Sequence, residues 1–178
     1  ITVFAGHSNA TYAQAYTAFN SGIRRATHLF NAMSPLESRA PGIVGAIYDH
    51  PEVCASIVAD GYHVDFAAIR ISKKIMKERL FLITDAIEEN REGGYVYIRE
   101  ADRYVSATGV LSGSCLTMAK AVRNCVEKAG IPLEEALRMA SLYPSRAIGR
   151  EQTLGRIAVG YEAALVAIDS NWATTVYC

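Results

Sequence analysis

The sequence predicts an α/β fold built on a parallel sheet, and three observations carry that expectation. Short apolar runs alternate with stretches of helical period in the order β-α-β-α-β-α-β over the first 85 residues. The runs are nearly continuous in apolar residues, as strands covered on both faces are. Each run leads into a residue with usable chemistry: His7, His28, the Asp60-Gly61-Tyr62-His63 turn, and Asp85.

The first run, "ITVFAGH", reads as a buried strand, and "SNATYAQAYTAFNSG" as a helix capped by Ser8 or Asn9 and ended by Gly22. "IRRATHLFNA" holds the next short strand, ending near His28. The loop "MSPLESRAPG" precedes a short helix over "IVGAIYDH", and "VCASIVADG" is the third strand. "VDFAAIRISKKIMKE" predicts an amphipathic helix with Phe66, Ile69, Ile75 and Met76 on or near its apolar face. "RLFLITDA" is the fourth strand.

After Asp85 the pattern changes. "GGYVYIREADRYVSATGVLSG" alternates as a hairpin does, with its turn near Ala101–Asp102. Three helices follow: one from Leu116 to Ala129 closed by Gly130, one from Pro132 to about Leu142, and a short one opening at Pro144. The end, "LGRIAVGYEAALVAID", is β-like and punctuated by glycine.

Composition narrows the function. The 178 residues suffice for one domain with a sizeable core, and 51% of them are hydrophobic. Eighteen basic residues balance 18 acidic ones, which argues against nucleic acid as a partner. No run approaches the ~18 apolar residues of a membrane helix. The first residues do not form a signal peptide; they lack Met and begin inside an apolar run, so Ile1 is not expected to be a native start. Cys54, Cys115, Cys125 and Cys178 form no C-x-x-C pair and read as reduced thiols of a cytoplasmic protein.

In a (β/α) barrel the C-terminal strand ends converge on one face. His7 and His28 are 21 residues apart, about one βα unit, so adjacent strands would bring both imidazoles to the same rim. Such a pair suits a divalent metal, zinc foremost. Asp85 could be a third ligand or a base acting on water activated by the ion. Spacing alone leaves metal binding and plain packing open for the two histidines. His63 reads equally as surface or site, His50 as surface, Arg39 as a solvated loop residue, and Asp60 as a turn former. "LSGSCLTM" reads more simply as a helix cap than as an anion site.

The segments "GHSNAT", "ATHLFNAM", "ADGYHVD", "LITDA", "GVLSGSCLTM" and "LYPSRAIG" carry a resemblance. In order and spacing they resemble the N-acetylglucosamine-6-phosphate deacetylase family of the amidohydrolase superfamily, over nearly the whole chain. Ala164 departs from the usual Asp or Asn at a position read as structural. The resemblance implies the second half of a TIM-like (β/α)8 barrel over residues 1–150, with a hairpin insert at about 94–108. Residues 151–178 would be strands of a small β-sandwich domain. Family members are about twice as long, so a Glu ligand and another active-site His would lie upstream. A lone half barrel, with an exposed sheet edge, is expected to be unstable and inactive.

The resemblance further implies metal-dependent hydrolysis of the acetamide of N-acetylglucosamine 6-phosphate, giving glucosamine 6-phosphate and acetate. His7 and His28 match metal ligands, for zinc, iron or another divalent ion. Asp85 matches the catalytic Asp. Asn31, the Ala32 N–H and His63 match phosphate contacts, and Arg39 matches an Arg that reaches the phosphate from a neighbouring subunit of a homodimer. "LSGS" (Leu111 to Ser114) would line the acetyl end. Two other readings stand beside this one: deacetylation of a different N-acetyl amino sugar, and a non-catalytic barrel-scaffold subunit.

Overall fold

A computed structural model describes residues 1–177. Cys178, one of the expected thiols and the last residue of the expected small domain, lies outside the described residues; Cys54, Cys115 and Cys125 are free.

The first half is α/β. Its elements are α1 (Tyr12–Asn20), β1 (Arg25–Ala26), α2 (Gly42–Asp49), β2 (Cys54–Val58), α3 (Phe66–Met76) and β3 (Leu80–Ile83). The strands form a parallel sheet in the order β1-β2-β3. β2 and β3 are buried almost throughout, as their unbroken apolar runs require. Helices α1 and α2 pack on each other, and α2 buries six consecutive residues, Gly42 to Ile47. The Arg79 guanidinium donates to the carbonyls of Ile47, Tyr48 and Val53, tying the end of α2 to the segment before β2.

The second half begins with an antiparallel sheet of β4 (Tyr97–Glu100), β5 (Arg103–Ser106) and β6 (Leu111–Ser114). The expected hairpin is there, turning at Ala101–Asp102, with a third strand the alternation did not separate from the following cap. Helices α4 (Met118–Glu127), α5 (Leu133–Ala140) and α6 (Leu142–Ala147) follow. α4 and α5 face β3, and the buried Asn124 of α4 donates its amide to the Ala59 carbonyl just past β2. The chain ends in a hairpin of β7 (Leu165–Ile168) and β8 (Thr174–Tyr177), on which Val166 and Val176 are exposed.

Several local expectations are corrected. "ITVFAGH" is not a buried strand: Ile1 and Val3 are exposed, and only Ala5 pairs, exchanging hydrogen bonds of 2.8 and 2.9 Å with the β1 segment. A strand with one hydrogen-bonded neighbour covers neither its far edge nor its outer face. The cap of α1 is Thr11, which forms a reciprocal capping box with Gln14. On α3 the buried stripe is Ile69, Ser72 and Met76, one i,i+3,i+7 row, while Ile75 falls outside it and is exposed. Helix α6 opens at Leu142, two residues before Pro144.

His50 is the largest departure, because it is buried rather than on the surface. Its ring packs on Tyr16 and Phe19. Nδ1 accepts from the Glu52 N–H, so the neutral ring carries its proton on Nε2, which faces Asn20 Oδ1 at 3.3 Å. Burial, with the charges of Arg24 and Arg79, holds its pKa below the ordinary 6.5. The unfolded chain therefore protonates first as pH falls, so the stability His50 contributes is complete above about 6.5 and lost below it. In the intact protein, a His50→Gln variant should show a shallower loss of stability in that acidic window by urea unfolding. An identical pH profile would remove His50 as its cause.

Candidate active site

Four chain segments deliver polar side chains to one cleft of about 760 Å³. His7 comes from the end of the N-terminal segment, and His28, Asn31 and Ala32 from the turn after β1. His63 comes from the turn after β2, and Asp85 from the end of β3. The fifth wall is the β4–β6 sheet, with Tyr95, Tyr97, Ser106, Thr108, Leu111 and Ser112.

The strand ends share a backbone device. His7, His28 and Asp85 all have positive φ, at 46°, 37° and 53°. A left-handed residue ends the strand and swings its side chain away from the pleat. Each kink is pinned by a neighbour. Ser56, in the middle of β2, accepts the His28 N–H on its hydroxyl at 2.9 Å, and its carbonyl takes the Leu29 N–H at 2.8 Å. Ser114 of β6 donates its N–H to the Asp85 carbonyl at 2.9 Å and its hydroxyl to the Thr84 carbonyl. Beyond His7, the Ser8 carbonyl takes the Ser34 N–H at 3.1 Å. Gly6 has to be glycine: a Cβ there would lie 2.6 Å from Thr27 Cγ2 and 3.4 Å from the His28 ring.

The imidazoles of His7 and His28 meet edge to face, with ring centroids 4.7 Å apart. His28 Nδ1 is buried and has no hydrogen-bond partner. An unpaired buried polar atom costs free energy, and a cation is one partner that removes the cost. Two neutral imidazoles with one orphaned nitrogen therefore fit part of a divalent ion's ligand set. Among the described residues no group of three or more His, Cys, Asp or Glu could hold a metal. The Asp85 carboxylate approaches His63, Oδ2 to Nε2 at 3.6 Å.

His63 is nearly sealed, its side chain 5% exposed. Its Nδ1 lies 2.6 Å from Asp60 Oδ2, while Asp60 Oδ1 accepts the N–H groups of Tyr62 and His63, each at 2.8 Å. Burial pushes the Asp60 carboxyl up, but the His63 ring and those two N–H donors outweigh it and hold it below the usual range. Sequence reading saw only the turn-forming half of Asp60. The D-G-Y-H spacing was the available signal, since a carboxylate three residues ahead of a histidine can both close the turn and meet the ring.

Asn31 folds its amide back onto the carbonyls of His28 and Leu29. Ala32 has φ of 50°, and no hydrogen bond from its N–H occurs among the described residues. Arg39 stands apart, exposed in the loop before α2 and outside the cleft lining. Residues Tyr95, Tyr97, Ser106 and Thr108 were not singled out from sequence; nothing in a β-alternation reveals which face turns toward a distant strand end.

Comparison with known proteins bears on this cleft. Residues 1–177 match the Amidohydrolase family. The chain is 41% identical to the N-acetylglucosamine-6-phosphate deacetylase of Haemophilus influenzae, over 97% of this chain and 48% of that protein. It is 38% identical to the N-acetylgalactosamine-6-phosphate deacetylase of Escherichia coli O157:H7, over 96% of this chain and 47% of that one. The crystal structure of N-acetylglucosamine-6-phosphate deacetylase from Pasteurella multocida superposes with a TM-score of 0.93 at 40% identity, covering 99% of this chain and 49% of that chain. The chain thus spans about half the length of these relatives.

Removing one imidazole of the pair should weaken metal retention. In the intact protein, His28→Ala should lower affinity for a divalent ion by at least ~10- to 100-fold, the range lost when even outer-shell partners of ligands are removed. Unchanged metal content after dialysis would exclude His28 from the ligand set.

Proposed function

The chain belongs to the amidohydrolase family, and from that premise we propose that the intact protein hydrolyses the acetamide of N-acetylglucosamine 6-phosphate to glucosamine 6-phosphate and acetate. The observation that carries this reading is the convergence of a histidine pair, Asp85 and His63 on one cleft, in a chain whose relatives are named deacetylases of phosphorylated amino sugars. On this reading residues 1–150 are the second half of a TIM-like barrel, the β4–β6 sheet is its insert, and residues 151–178 belong to a small β-sandwich domain. The enzyme would be a cytoplasmic homodimer. Among the described residues no helix is long and apolar enough to cross a membrane.

His7 and His28 would hold a divalent metal, zinc by preference, with the remaining ligand supplied from outside these residues. When bound, such an ion polarises the acetamide carbonyl and lowers the pKa of water from ~16 to about 7. Asp85 lines the same cleft with a partly exposed carboxylate and would act on water there. It takes a proton from the attacking water and returns the same proton to the amine nitrogen as the C–N bond breaks. The proton is conserved through the cycle, so one carboxylate serves as base and then acid.

Phosphate binding falls to the turn after β1 and to His63. The Ala32 N–H offers a neutral donor, Asn31 would have to release its amide from the His28 and Leu29 carbonyls to add another, and His63 Nε2 faces the cleft. Arg39 is exposed, which suits a guanidinium that reaches the phosphate of a neighbouring subunit. Leu111 and Ser112 line the cleft where the acetyl group would sit.

A second reading is favoured by the relative named for N-acetylgalactosamine 6-phosphate, which is nearly as similar. The two sugars differ only in the configuration at C4, and parallel acetate-release assays on both decide between them. Silence on both, with metal bound, would favour a non-catalytic scaffold.

Asp85→Asn in the intact protein should cut turnover by roughly 100-fold or more, the scale of general acid–base catalysis, while leaving metal content near normal. Turnover close to wild type would end the role given to Asp85. Arg39→Ala should raise KM for the phosphorylated sugar and leave an unphosphorylated analogue unaffected; equal effects on both would remove Arg39 from the phosphate site.

A further inference from the structure

We infer that Asp60 is a positioning residue: it accepts the Nδ1 proton of His63 and commits Nε2 to the cleft, so that His63 donates to an anion there only as the imidazolium. This inference rests on the phosphate role proposed for His63.

The geometry leaves little freedom. Asp60 Oδ1 is occupied by the N–H groups of Tyr62 and His63, which fixes the carboxylate plane. Oδ2 then lies 2.6 Å from Nδ1. The two side chains are 4% and 5% exposed, so water cannot take the place of either partner. An ionised carboxylate only accepts hydrogen bonds, so Nδ1 must carry the proton. The neutral ring then presents a bare lone pair at Nε2, and only the cation presents an N–H.

Nε2 is uncommitted. Asp85 Oδ2, at 3.6 Å, is too far for a hydrogen bond. Two carboxylates flank the His63 ring. Asp60 is the carboxylate behind it and Asp85 the one in front. His7 and His28 are the other titratable groups of the strand-end rim, and Tyr95 and Tyr97 those of the facing sheet. No Lys or Arg lines the cleft among the described residues. An imidazolium at His63 is then the cation that this chain itself can offer a phosphate dianion. The arrangement gives phosphate recognition a dependence on pH that an Arg would not have.

Two measurements on the intact, metal-loaded protein test this. Nitrogen-15 NMR of labelled histidine should show the His63 ring protonated at Nδ1 and bare at Nε2 once the imidazolium is titrated away. A neutral ring protonated at Nε2 would overturn the inference without any variant. Asp60→Asn keeps the Oδ1 acceptor for the turn but puts an amide N–H opposite Nδ1, which reverses the tautomer. That variant should raise KM for N-acetylglucosamine 6-phosphate roughly tenfold at acidic and neutral pH, the loss expected when a charge-assisted hydrogen bond becomes a neutral one. It should also flatten the rise of KM with pH seen in the wild type, with kcat and unphosphorylated N-acetylglucosamine little affected. Unchanged KM, or equal losses on both sugars, would overturn the positioning role. A wild type that shows no preference for the phosphorylated sugar would overturn the phosphate reading instead, and the NMR result would still decide what Asp60 does.

Discussion

The site depends on strand ends held in a backbone conformation that L-residues avoid. His7, His28 and Asp85 each sit at positive φ where a strand stops, and such residues cost on the order of 1–3 kcal/mol each unless the surroundings hold them. Here the surroundings are serine hydroxyls and backbone groups of two neighbouring strands. Ser56 lies in the middle of buried β2 and holds the backbone of His28 and Leu29. Ser114 ends β6 and clamps Thr84 and Asp85. A hydrophobic residue at either place would remove the hydroxyl that holds the kink, so these serines belong to the site although they do not line the cleft.

The same logic explains why the antiparallel sheet stands where it does. β6 reaches the end of β3 through Ser114, and Gly113 lies against the Ile87 side chain, where a Cβ would come within 2.7 Å. That contact sets the β4–β6 sheet over the cleft and turns Tyr97 and Ser106, a cross-strand pair, toward the strand-end rim. The sheet is thus a wall of the cleft, and its anchor is a pair of backbone hydrogen bonds between Ser114 and the segment Asp85–Ile87.

Much of the fold was legible in residue order. The parallel strands at β1, β2 and β3 follow from unbroken apolar runs, and α3, α4 and α5 from their apolar period and caps. What failed has local causes. The N-terminal run is as apolar as β2, but burial depends on having a partner at each edge, and only the β1 side is paired. His50 precedes a proline and so reads as a helix-end surface residue, yet Tyr16 and Phe19 from α1 close over it. Asp60 fits a turn so well by sequence that its second oxygen passed unnoticed.

Sequence by itself determined which residue types stand at the strand ends and in what order, because strand period and βα spacing place His7, His28, His63 and Asp85 at equivalent positions without reference to anything distant. It could not determine which of them meet. That Asp85 comes to 3.6 Å from His63, and that His28 keeps an unpartnered nitrogen, was decided by the tertiary structure. The physical reason is direction: spacing along the chain sets the level of a side chain on the rim, whereas its orientation comes from the φ of one kinked residue and from hydrogen bonds offered by strands 28 or 29 residues further along.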